Sequence, residues 1–280
     1  MEPRENWFTE FYGDAALMIK VRKKIFEGQT EFQHMQIFDT EFFGKLLVLD
    51  GKVQLTERDE GFYHEMLVHV PMFTHPNPRK VLIIGGGDGG SVREALKHNP
   101  DEIVMVEIDR KVVEFCREYI GVDKGALNDS RVTVLYEDGI EFVKSTNERF
   151  DVLIVDGTDP NPVSKSLVMG DFYEACARIS DVFATQSQTP FIQQEYFRLI
   201  LENTRGVFLN RRVYLGYVPT YPFGLWSYLL ASNRDISLDG EEITQRYVER
   251  GVETVYYTPT IHVSSFVLPK WVADIVNAYS

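Results

Sequence analysis

VLIIGGGDGG, residues Val81 to Gly90, decides the fold of this chain. Val81, Leu82, Ile83 and Ile84 are an apolar, mostly β-branched run that suits a strand buried on both faces. Gly85, Gly86 and Gly87 let the backbone turn tightly and approach a ligand closely. The segment after them, SVREALKHNP, reads as helix. A strand, a glycine turn and a helix start are the parts of a nucleotide-binding βα unit, and Gly85, Gly87 and Gly90 satisfy the dinucleotide spacing. A ligand-free βα turn would read the same way. Asp88 argues against a pyrophosphate, because a carboxylate at a helix N-terminus repels phosphate and suits a cation.

Downstream, strands and helices alternate: DEIVMVEIDR, KVVEFCREYI, RVTVLYEDG, IEFVKSTNE and FDVLIVDGTDP. Connection rules make this an open, largely parallel sheet with ligands beyond the carboxyl ends of its strands. Acids fall at those ends: Asp88 after the first strand, Glu107 and Asp109 after the second, Asp138 after the third, Asp156 and Asp159 after the fourth. One such Asp is ordinarily a turn or cap residue. A whole rim of them costs repulsion unless cations or donors meet it, so the set suggests a site.

Upstream, Ala16 to Thr56 alternates as LMIKVRKKIFEG, EFQHMQIFDT and GKLLVLDGKVQLT, broken at Gly28, Gly44 and the tight turn Asp50-Gly51. This reads as a small antiparallel β domain. Phe62, Met66, Leu67 and Val70 then recur at helical spacing, so the boundary is set near Asn77, giving an N-terminal unit of residues 1–76 and a catalytic domain of residues 77–280.

At 280 residues, 44% hydrophobic and 25% charged, the chain is globular and long enough for one large or two modest domains. No run is long enough to span a bilayer and MEPRENWF lacks signal-peptide character, so a cytoplasmic protein without a membrane partner is expected. The net charge of -13 makes nucleic acid an unsuitable partner. Cys116 and Cys176 sit among apolar residues at no ligand spacing and read as packing. His34, His69, His75, His98 and His262 form no metal spacing and read as structural.

Glu107 follows Gly87 at the interval of an acid that accepts both ribose hydroxyls. Asp138-Gly139 suits an adenine amino group. An adenosine site without a phosphate clamp points to a sulfonium nucleoside rather than NAD, leaving Asp88, Asp156 and Asp159 for positive charge.

Long segments in one order carry the reading further: FGKLLVLDGKVQLTERDE, YHEM, HPNPRKVLIIGGGDGGSVRE, VEIDRKVV, EDG, DVLIVDGTDP, PTYPFGLWS and YYTPTIHVSSFVLP. Through them the chain, from about Gln33 to Pro269, resembles the spermidine synthase (polyamine aminopropyltransferase) family. The resemblance implies an α/β fold, a Rossmann-like, class I methyltransferase-type sheet with a small N-terminal antiparallel β domain. It implies transfer of an aminopropyl group from decarboxylated S-adenosylmethionine to a diamine such as putrescine, releasing methylthioadenosine. That nucleoside is a co-substrate; no cofactor and no metal are implied, and the assembly would be a homodimer or homotetramer.

By this similarity Gln33 and Gln54 contact the donor, Leu49 and Pro162 flank its nucleoside, Glu107 takes the ribose, and Asp138 with Gly139 takes the adenine. The donor carries an ammonium and lacks the methionine carboxylate, so Asp88 would bind it and repel ordinary S-adenosylmethionine. Asp156 matches the proton acceptor, with Tyr63 beside the attacking nitrogen. Asp159 and His64 would hold the acceptor, with Gln186, Tyr214, Tyr217 and Trp226 along its methylene chain; Tyr214 and Tyr217 read equally well as core aromatics.

The chain departs from the family pattern in four places. DPNPVSKSLVMGDFY lacks a glycine usual after the fourth strand. EACARIS runs almost directly into VFATQSQTP. Gln188 stands where Glu is frequent, and Gly61 where an aromatic is common. These changes are expected to touch the acceptor side, which leaves agmatine, cadaverine and spermidine open beside putrescine. A methyltransferase and a non-catalytic polyamine-binding relative are the alternatives from other classes.

Overall fold

The structure, a computed structural model, describes residues 6–158, 167 and 169–279. Two sheets organise it. The first has five antiparallel strands in sequence order: β1 (Trp7–Tyr12), β2 (Ala15–Gln29), β3 (His34–Thr40), β4 (Lys45–Leu49) and β5 (Lys52–Thr56). Asp50 and Gly51, at φ 48° and 76°, make the β4–β5 hairpin anticipated from Asp-Gly. Gly28, read as a break, lies inside β2, opposite Met35. Its missing side chain leaves room for the Phe26 ring, which a Cβ there would meet at 2.9 Å. The sequence reading also began at Ala16 and so missed β1, which forms a hairpin with β2.

The second sheet has seven strands: β6 (Lys80–Gly85), β7 (Glu102–Val106), β8 (Val132–Leu135), β9 (Phe150–Asp156), β10 (Ser180–Gln186), β11 (Asn210–Tyr217) and β12 (Leu225–Ser232). Their spatial order is β11-β12-β10-β9-β6-β7-β8. The strands from β8 to β10 are parallel to one another and β12 runs antiparallel to both its neighbours. The order reverses between β6 and β9, the crevice where an open α/β sheet binds ligands.

The opening stretch is buried on both faces. Val81 and Ile83 join a core shared with α1 (Glu60–Thr74), α2 (Gly90–Leu96) and α7 (Gly240–Arg250). Leu82 and Ile84 join the opposite core, with α4 (Gly139–Ser145), α5 (Gly170–Ile179) and α6 (Gln194–Asn203). The boundary placed near Asn77 left α1 with the N-terminal unit. Its residues Met66, Leu67, Val70 and Phe73 are instead buried in the core of the large sheet, so packing divides the chain just before Glu60. Val112 and Cys116 of α3 (Arg110–Tyr119) pack on Met35, Leu47 and Leu49 of the small sheet and so join the two units.

The abrupt passage from EACARIS into strand is present in the fold. α5 ends at Ile179 and β10 begins at Ser180, whose hydroxyl donates to the Cys176 carbonyl. Cys116 and Cys176 are both free and buried, and burial pushes both thiols well up.

Candidate active site

At the crevice between β6 and β9 the two sheets enclose a cavity with about 980 Å³ of empty space open to solvent. Gln33, Leu49, Gln54, Tyr63, His64, Asp88, Glu107, Asp138, Gly139 and Asp156 all line it. The acids come together because consecutive parallel strands end on one rim, while Gln33, Leu49 and Gln54 reach it from the small sheet.

The glycines shape the floor. Gly85, at φ +82°, brings its Cα so near the β9 end that a Cβ would lie 2.2 Å from the Asp156 carbonyl. Only a residue without a side chain fits. At Gly139 a Cβ would meet Ile84 at 2.5 Å.

On the nucleoside side, Asp138 caps α4, its carboxylate accepting from the Ile140 and Glu141 amides, so its roles as cap and as cavity wall coincide. Asp109 caps α3 and is held by Thr30 and by Gln33 Nε2 at 3.2 Å. It does not line the cavity. Glu107 accepts the Asp109 amide at 2.8 Å. Burial, with repulsion from Asp109, Asp156 and Asp88, pushes its carboxyl up to about 7 despite that hydrogen bond.

Deeper in, Asp156 accepts Tyr63 Oη at 2.8 Å and Ser91 Oγ at 2.6 Å. Burial raises its carboxyl above the usual range; His64 opposes this and Asp88 adds to it. Burial and the Asp156 charge push the Tyr63 phenol well up, so it stays a donor. Asp88 accepts the Gly90 amide at 2.7 Å and faces His64 Nε2 at 3.3 Å. Burial acts to raise its carboxyl, but His64 and that amide hold it below the ordinary value. Ligand atoms of His64, Asp88 and Asp156 lie within 4.8 Å of one another, an array suited to positive charge. His75, Asp151 and Asp181 also converge, a grouping that sequence spacing does not reveal, but Asp181 is already paired with Arg149 and Arg234.

A narrower cavity shares Gln54, Tyr63, Gly157 and Tyr221 with the first and is lined further by Gln186, Trp226 and Glu10. Gln188 holds Gln186, its amide and side chain both donating to Gln186 Oε1 at 3.0 Å. Tyr214 and Tyr217 lie off both cavities. Tyr214 is buried against Tyr228 and donates to the Met66 carbonyl, and Tyr217 is half exposed over Gly224. Gly61 also lies off them, against Val255, where a Cβ would already be at 3.0 Å. Asp159 and Pro162 lie outside the described residues.

Ser91, Tyr221 and Glu10 escaped the sequence reading. Ser91 directly follows the glycine turn and Tyr221 lies within PTYPFGLWS, so both had a signal; Glu10 lies in β1 and had none. Tyr221 is fixed by its hydroxyl on the Gln54 carbonyl and, one residue earlier, by Thr220 on Asp59.

Comparison with known proteins places this architecture. Residues 60–240 match the spermine/spermidine synthase domain and residues 6–57 the spermidine synthase tetramerisation domain. The chain belongs to the spermine/spermidine synthase family. It is similar, at 48% identity over 97% of this chain and 98% of the relative, to the polyamine aminopropyltransferase of Archaeoglobus fulgidus. The Caldicellulosiruptor bescii polyamine aminopropyltransferase is 41% identical over 99% of this chain and 100% of its own. Among solved structures, a spermidine synthase in complex with the transition state analogue AdoDATO superposes with TM-score 0.93 at 38% identity, covering 99% of this chain and 97% of that one. The Thermotoga maritima spermidine synthase gives 0.92 at 38% identity, covering 99% and 96%. In this family the enzyme class is that of the aminopropyltransferases.

Proposed function

We propose that the chain transfers the aminopropyl group of decarboxylated S-adenosylmethionine to a diamine, putrescine first, with agmatine, cadaverine and spermidine as further acceptors. The observation that carries this reading is the pair Asp88 and Asp156 in one cavity, one carboxylate held low and the other raised. Two acids whose environments push them apart suit different tasks. Asp88 suits the standing charge of the donor ammonium. Asp156 suits a base.

In the reaction the acceptor nitrogen attacks the methylene carbon next to sulfur, the new N–C bond forms as the C–S bond breaks, and the electron pair leaves on neutral methylthioadenosine. The nitrogen's proton passes to Asp156 and then to water. An ordinary carboxylate is a weak base toward an amine with pKa about 10, so the raised Asp156 and the desolvated cavity narrow the gap. Tyr63, which donates to Asp156, would stand beside the attacking nitrogen. Alignment and exclusion of water supply the rest.

Gln33, Gln54 and Leu49 would enclose the donor, Glu107 its ribose, and Asp138 with Gly139 its adenine. We assign Pro162 to the nucleoside and Asp159 to the acceptor from the family motif, both beyond the described residues. His64, Gln186 and Trp226 would line the acceptor's path, and Tyr214 and Tyr217 would stand behind it, outside the two cavities described. The match to a tetramerisation domain supports a homo-oligomer. Among the described residues no helix is long and apolar enough to cross a membrane; the cytoplasm is the proposed compartment.

Calorimetry tests donor choice. The decarboxylated nucleoside is expected to bind at least about tenfold more tightly than S-adenosylmethionine, the size of one charged contact. Equal affinities would contradict the role given to Asp88.

A further inference from the structure

His64 is buried between three carboxylates, a tyrosine ring and backbone. From its own helix Glu60 Oε2 lies 2.7 Å from Nδ1, and Tyr63 flanks the ring. From the turn after β6 Asp88 Oδ1 lies 3.3 Å from Nε2, and from β9 Asp156 Oδ2 lies 4.0 Å away. Behind Glu60 stands Arg93 of α2, its fork donating to Glu60 Oε1 at 2.9 Å and Oε2 at 2.8 Å. Further Arg93 donors go to Glu94 Oε1 and the Val122 carbonyl, so the guanidinium is fixed. The fourth side is backbone, for a Cβ on Gly90 would lie 2.4 Å from His64 Cε1. The ring therefore cannot swing away.

This geometry fixes one ring nitrogen and leaves the other free to change. Glu60, paired with Arg93, is a carboxylate, so Nδ1 carries a proton and donates to it. Burial works against charge on Glu60, yet His64 and Arg93 hold its carboxyl below the usual range. Among the described residues, Nε2 faces the carboxylates of Asp88 and Asp156, which favours a second proton there. Burial opposes that proton, but Asp88 and Glu60 raise the imidazole well above its ordinary value. A cationic ligand at Asp88 reverses the balance, since an imidazolium would face another cation at close range.

We propose that Arg93 and Glu60 are positioning residues that keep His64 an imidazolium beside Asp88 in the empty site, and that the donor's ammonium, on taking Asp88, expels the Nε2 proton to water. Nε2 then presents a lone pair to the cationic substrates. The site exchanges one positive charge for another, so Asp88 is never left uncompensated. The proposal rests on the reading of Asp88 as the partner of the donor ammonium.

The carbon-13 Cε1 resonance of His64, identified by its loss in His64→Gln, reports the proton directly. In the whole enzyme near neutral pH the ring is expected to be charged when the site is empty, charged with methylthioadenosine, which has no ammonium, and neutral with decarboxylated S-adenosylmethionine. Glu60→Gln is expected to lower the His64 titration midpoint by about one unit or more. Arg93→Lys keeps the charge without the fork, loosens Glu60 and is expected to lower the His64 midpoint as well, so that KM for the donor near neutral pH falls, because less proton has to be expelled on binding. A ring neutral in the empty enzyme, or still charged with the donor bound, overturns the proposal, and the wild type alone decides this should Glu60→Gln fail to fold. Product formation with His64 charged throughout would leave the functional reading standing and end this proposal. Failure of the wild type to bind the donor would end both.

Discussion

Asp156 and Glu107 are two buried carboxylates on one rim, and their surroundings give each a separate test. Tyr63 and Ser91 hold Asp156 toward the cavity. Asp156→Asn keeps the shape and removes the base, so turnover should fall by about 10²- to 10⁴-fold with donor affinity retained; single-turnover rates check this, and near-normal rates would remove Asp156 from its role. Burial, with Asp109, Asp156 and Asp88 nearby, pushes the Glu107 carboxyl up to about 7. Ribose hydroxyls donate best to its ionised form, so methylthioadenosine affinity should rise with pH through about that value and be lost as Glu107 protonates below it. Calorimetry across that range, with Glu107→Gln as a flat control, tests the sign. Asp88, Glu107, Asp138 and Asp156 were legible because a strand end in a parallel sheet has a fixed address. Glu60 and Arg93 were not, because their pairing crosses from α1 to α2 and has no sequence period. Tyr214 stayed open between the two readings because an aromatic residue near a motif looks the same whether it faces a cavity or, as here, packs on Met66 and Tyr228.

The elements around the site are tied down by buried polar contacts as well as by apolar packing. Helix α8 (Pro259–Ser264) places His262 in the core, where Nδ1 meets Tyr257 Oη at 2.7 Å. Burial, aided by Arg246, depresses this imidazole to about 3. The unfolded chain takes up a proton near pH 6.5 and the folded one only near 3, so the contribution is complete above about 6.5 and fades as pH falls between the two. Thermal melts should therefore show the stability advantage of wild type over His262→Gln shrinking by up to about 5 kcal/mol across that window. A gap that stays constant would contradict the buried neutral form. Helix α1 was legible as a helix from its spacing. Its allegiance was not, since helical periodicity shows that a face is buried and leaves open which sheet buries it. The antiparallel hairpin Asp50-Gly51 was legible because few residues tolerate two successive left-handed positions.

At the scale of the whole molecule, neither sheet forms the site alone. The large sheet supplies the acids, the small sheet supplies Gln33, Leu49 and Gln54, and α3 binds the two through a shared apolar cluster. This explains why the alternating pattern upstream of Val81 carries cavity-lining residues as well as packing. It also explains why the glycine turn by itself read as a generic nucleotide loop: its chemistry comes from Asp88 facing His64 of α1 and the end of β9. The central claim is that the group transferred is aminopropyl. Its most direct test is incubation of the enzyme with decarboxylated S-adenosylmethionine carrying distinct isotopes in its methyl and aminopropyl groups, together with putrescine, and mass analysis of both products. The account predicts an amine that has gained the labelled aminopropyl group and a nucleoside that keeps the labelled methyl. A methylated amine, or no change in either molecule, would contradict it.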